Sequence, residues 1–119
     1  MTAFAVASGA ASIAVEALGD GLPVVLLHAG VADRRMWGAQ VGALAAAGCR
    51  AIAYDRRGFG ETLHADDGYS HVGDLVAVLD ACAPREPAIL VGCSQGGRIA
   101  IDAALAHPER CSGLLLVAP

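Results

Sequence analysis

Gly92-Cys93-Ser94-Gln95-Gly96 holds a serine between two glycines in the spacing G-x-S-x-G. That spacing suits nucleophilic catalysis for a steric reason. Where a chain turns sharply from strand into helix, the apex residue takes a strained conformation and its side chain stands clear of the turn. The residues two before and two after it crowd together, so both must be small. Gly92 and Gly96 meet that demand, and Gly97 relaxes it further. The hydroxyl of Ser94 is then raised above the C-terminal end of a sheet, where open α/β sheets bind ligands. It also sits at a helix N-terminus, whose partial positive charge favours an oxyanion. The chemistry this allows is attack on an acyl carbon through a covalent intermediate. Cys93, one position off the apex, would point the wrong way and reads as a packed small residue.

The elements that must position Ser94 are legible in the surrounding pattern. Residues 88–92 are an apolar run that reads as a buried strand, and residues 95–107 read as a helix. Upstream, residues 4–8 and 12–17 read as a hairpin about Gly9. Residues 23–27, 50–54 and 113–117 read as further buried strands. Trp37, Val41 and Leu44 recur at helical spacing, with Gly48 to end that helix. Val72, Leu75, Val76 and Leu79 mark another amphipathic helix, with Ser70 as its N-cap. Residues 58–69 read as a loop. Strands alternating with helices predict an α/β fold, with a mostly parallel sheet, helices on both faces and an antiparallel N-terminal hairpin.

Composition narrows the function. Of 119 residues, 55% are hydrophobic and 17% charged, which excludes disorder. No apolar run approaches the roughly 20 residues of a membrane span, so no membrane partner is expected. The net charge is −4, and no basic cluster exceeds a pair such as Arg34-Arg35 or Arg56-Arg57, so no nucleic-acid partner is expected either. Every basic residue is Arg and the loop after Leu27 lacks G-x-G-x-x-G, which argues against a P-loop or dinucleotide-binding domain. Cys49, Cys82, Cys93 and Cys111 have no metal-ligand or disulfide spacing, and read as small thiols in a reducing compartment. The first 14 residues have no basic stretch before their apolar ones, which favours the cytoplasm. No cofactor or metal is called for.

Four ordered segments carry a resemblance. Leu26-Leu27-His28-Ala29-Gly30, followed by Trp37, looks like an oxyanion loop; Asp55-Arg56-Arg57-Gly58-Phe59-Gly60 looks like a D-x-R-G-x-G turn. Residues 92–97 look like a nucleophile elbow. Ala106-His107-Pro108-Glu109-Arg110 with residues 114–119 looks like the helix end and strand that follow it. Together they resemble the α/β-hydrolase superfamily, in particular its small esterase, lactonase and cofactor-free haloperoxidase-like branch. The resemblance implies that Ser94 is the nucleophile, and that the backbone N–H groups of Gln95 and Gly30 receive the oxyanion. It implies an ester, lactone or related small acyl substrate. Serine at the apex argues against the epoxide-hydrolase and haloalkane-dehalogenase branches, which carry Asp there. Ala29 stands where the family has Gly, and a positive φ at that site would strain it.

The remaining polar residues get structural readings. His28 shapes the oxyanion loop, and Asp55 and Arg57 brace the loop after their strand. Arg98 and Asp102 form a surface ion pair. His64 and His71 face solvent. His107 lies at the far end of the elbow helix, about 20 Å from Ser94, and cannot serve as its base. The family's acid and histidine are therefore expected beyond Pro119. On this reading residues 1–119 are the N-terminal part of a single hydrolase domain, with the last strands and any cap domain absent, and turnover by this chain alone is slight. Its closing strand would expose an apolar sheet edge and invite self-association. The alternative is a non-catalytic α/β fragment or binding module.

Overall fold

A computed structural model describes residues 2–118. Six strands form one sheet in the order β1-β2-β4-β3-β5-β6. They are β1 Thr2–Ser8, β2 Ala11–Leu18, β3 Leu22–Leu27, β4 Cys49–Tyr54, β5 Ala88–Cys93 and β6 Cys111–Val117. β1 and β2 form an antiparallel hairpin, and β2 runs antiparallel to β4. The pairs β3–β4, β3–β5 and β5–β6 are parallel. The expected α/β architecture is the one observed, with bounds that differ by one to three residues at several ends.

Alternation along the strands explains the layers. Val25, Leu27, Ile52, Tyr54 and Leu90 point to one face of the sheet. There they meet α2 His71–Cys82 through Leu75, Val78 and Leu79, and α3 Gln95–Ala106 through Ile99, Ala100 and Ala103. Val24, Leu26, Ala51, Ala53 and Val91 point to the other face. That face is covered by Trp37 and by Val41 of α1 Gly38–Ala46. Strands buried on both sides must be apolar at every position, which is why β3 reads as an unbroken run.

Local chemistry sets the helix ends. Ser70 caps α2 as expected, its hydroxyl oxygen accepting from the Gly73 N–H at 2.9 Å. Trp37 lies in a separate 3-10 turn, Arg34–Trp37, capped by Asp33, and α1 begins only after it. The loop at residues 58–69 is tied down, because Ser12 and Leu63 exchange backbone hydrogen bonds at 2.7 and 3.0 Å. β6 lies at a sheet edge, with Leu114, Leu115 and Val117 exposed. Among the described residues no helix is long and apolar enough to cross a membrane.

Candidate active site

Ser94 stands alone between β5 and α3 with φ 53° and ψ −116°. A non-glycine residue pays for that conformation with roughly 1–3 kcal/mol, and it persists only where the surroundings impose it. The surroundings are specific. The Ser94 N–H donates to the Val117 carbonyl of β6 at 3.1 Å, and its carbonyl accepts from the Gly97 and Arg98 N–H groups to open α3. Ser94 and Gln95 are both exposed at this tip. Cys93 is the last residue of β5 and packs beside the cluster under α1.

Gly92 crowds against Gly96 as expected, and Gly96 meets a further neighbour of its own. A Cβ on Gly92 would lie 2.6 Å from both the Gly96 oxygen and the Gly97 nitrogen. A Cβ on Gly96 would instead meet the carbonyl oxygens at the end of β3, those of Leu27 and of His28, the latter at 2.7 Å. Gly96 is therefore small so that the elbow can approach the loop after β3. That contact brings Gln95 beside Gly30. Neither amide, of Gln95 or of Gly30, donates to another protein group among the described residues. Ala29 has no positive φ, so alanine is accommodated there without the strain that its glycine-like position suggested.

His28 holds the loop as expected. It is fully buried, and its Nε2 accepts from the Arg56 N–H at 2.9 Å. Nδ1 must then carry the proton, and it donates to the Ala29 carbonyl at 2.7 Å. Burial, the largest influence, lowers its pKa and keeps it neutral. Asp55 and Arg57 also brace as expected. The Asp55 carboxylate accepts from the Arg34 guanidinium and from the Arg34 and Glu61 N–H groups. Arg57 binds Asp74 at 3.0 Å, and also Asp67 and the Ala65 and Ser8 carbonyls.

Three expectations change. Arg98 and Asp102 form no ion pair among the described residues; they line a groove of about 420 Å³ with His71, Val72, Ile99 and Gln95. His71 is half-buried in that groove rather than solvent-facing, its ring 5.6 Å from that of Tyr69. Burial first, and Arg56 second, lower its pKa. Arg56, read as half of a basic pair and as the variable position of the D-x-R-G-x-G turn, is buried and reaches Gln95 at 2.8 Å. His64 is exposed as expected, and His107 caps the far end of α3 beside Glu109.

The alpha/beta hydrolase family model matches residues 24–119. The chain belongs to the alpha/beta hydrolase family. Its hydrolase relatives include epoxide hydrolase B of Mycobacterium tuberculosis, 39% identical over 97 residues, which cover 77% of this chain and 27% of that protein. A pimeloyl-acyl-carrier-protein methyl ester esterase of Aeromonas hydrophila is 36% identical over 107 residues, 90% of this chain and 41% of that one. Among solved structures, potato epoxide hydrolase I superposes with a TM-score of 0.90 at 30% identity, over 97% of this chain and 39% of that chain. The chain thus spans between about a quarter and two fifths of the length of these relatives.

Proposed function

We propose that this chain carries the nucleophile and oxyanion hole of a serine hydrolase that transfers the acyl group of an ester, lactone or related small molecule. The observation that supports it most is Ser94, held at φ 53° on an exposed tip beside two amides that have no partner among the described residues. Its Oγ gives its proton to a general base as it attacks the acyl carbon, and the carbonyl oxygen gains the electron pair; that proton then passes to the leaving alcohol oxygen. The N–H groups of Gln95 and Gly30 receive that oxyanion, each contributing about 3 kcal/mol to the transition state. Collapse expels the alcohol and leaves an ester on Ser94, which water then cleaves. Among the described residues no imidazole hydrogen-bonds the Ser94 hydroxyl, and both nitrogens of His28 are occupied. The histidine and acid that complete the cycle are proposed to lie in the part of the fold that this chain does not span.

Several relatives are named epoxide hydrolases. The apex chemistry favours the acyl reading instead. A carboxylate that opens an epoxide forms an ester, which water can hydrolyse. A serine that opened one would form an ether, which water cannot cleave under these conditions. Serine at position 94 therefore suits acyl substrates.

The test is p-nitrophenyl acetate with intact-mass readout. Without a base, acylation is slow and deacylation slower, so a single acetyl group should accumulate on Ser94 and be absent from Ser94→Ala. Equal acetylation of the two proteins would support the non-catalytic alternative.

A further inference from the structure

Arg56 is 1% exposed and makes no ion pair with any described carboxylate. A guanidinium stays charged in such a place, and burying it without a counter-charge is costly. Its neighbour Arg57 is surrounded by Asp74 and Asp67, so carboxylate pairing was within reach of this turn. Arg56 instead takes neutral acceptors. Its Nε donates to the His28 carbonyl at 3.2 Å, and its Nη2 donates to Gln95 Oε1 at 2.8 Å. The guanidinium lies 4.8 Å over the Phe59 ring, and Nη1 has no partner among the described residues.

These contacts bridge the two halves of the proposed oxyanion hole. His28 belongs to the loop that carries Gly30, and Gln95 carries the other amide. The same Gln95 Oε1 lies against Gly30, where an added Cβ would come within 2.7 Å of it. One rigid fork thus holds both donors, and none of the described carboxylates neutralises its charge. We propose that Arg56 is a positioning residue, whose guanidinium sets the spacing of the Gln95 and Gly30 amides and adds positive charge near the oxyanion they receive. This rests on the serine-hydrolase reading above.

The experiment measures the acetylation rate of Ser94 by p-nitrophenyl acetate in the 119-residue chain, with urea unfolding as a control. Arg56→Met removes charge and fork, and should slow acetylation about tenfold or more. Arg56→Lys keeps the charge but cannot reach both acceptors, and should recover part of that loss. Gln95→Met leaves the backbone amide in place and removes the acceptor of Arg56 Nη2; it should slow the reaction severalfold in a chain that still folds, with some loss of stability in urea. The double variant Arg56→Met/Gln95→Met should be no slower than Arg56→Met alone, because both changes break one tie. Wild-type rates in Arg56→Met or, should that variant fail to fold, in Gln95→Met would overturn the proposal and leave the serine reading standing. No acetylation of Ser94 in the unsubstituted chain would overturn the serine reading and this proposal with it.

Discussion

Gly96 and Gly97 are adjacent, both buried and both in the first turn of α3, yet alanine should be tolerated at only one. A helix gains up to about 1 kcal/mol from Gly→Ala wherever space allows. At Gly97 the new methyl would lie 3.3 Å from the Gly92 oxygen and 3.4 Å from a methyl of Leu116, a side chain able to shift. Gly97→Ala should therefore stay within about 1 kcal/mol of the unsubstituted chain. At Gly96 the methyl would overlap the Leu27 carbonyl oxygen and lie 2.8 Å from the Leu27 carbonyl carbon and 2.7 Å from the His28 oxygen. These are backbone atoms at the end of a buried strand and cannot rotate aside. Relief requires α3 to move from β3, at about 3 kcal/mol or more. In a chain of this size that is a fall of about 10 °C in midpoint. Urea titration followed by Trp37 fluorescence compares the two variants directly. The same movement should separate the Gln95 and Gly30 amides and slow Ser94 acetylation. Equal stability of Gly96→Ala and Gly97→Ala would refute the claim that the elbow packs against the loop after β3 at van der Waals limits.

Ser94→Gly should be more stable than Ser94→Ala by about 1 kcal/mol in urea, because only glycine relaxes at φ 53°; equal stabilities would argue against a strained apex. His28 and His71 both have lowered pKa values in the fold, burial first in each. Their stabilising contribution is present above the unfolded value of about 6.5 and is lost as pH falls through the folded values. Asp33 is held near 2, chiefly by its hydrogen bond from Arg35, so that loss belongs to a more acid range. Urea midpoints should thus fall between pH 7 and 5, and less so in His71→Gln; a flat or rising profile would contradict the assignment. The exposed leucines of the β6 edge predict concentration-dependent association in size-exclusion chromatography, reduced by Leu115→Lys; a clean monomer without the substitution would count against it.

The elbow was legible because its constraints are local. Gly92, Ser94 and Gly96 fall within five residues, and the flanking strand and helix have clear periods. The sheet was legible because β3, β4 and β5 are apolar at nearly every position. What Gly96 packs against was not legible, since it touches a strand end far away in the chain. Arg56 and Arg57 look alike in sequence, but successive residues leaving a strand point to opposite sides. One meets His28 and Gln95, 28 and 39 positions away, and the other meets Asp74. His71 and Arg98 share a groove only because α2 and α3 lie side by side on one face. Such long-range meetings leave no mark in local spacing.

Ser94 as an acyl-transfer nucleophile is tested most directly by peptide mapping after brief exposure of the chain to p-nitrophenyl acetate at mildly alkaline pH. One acetyl group should map to the peptide containing Ser94. It should form faster there than on Ser70 or Ser112, which are also exposed serines. An acetyl group distributed evenly over the exposed serines, or absent from Ser94, would contradict the account.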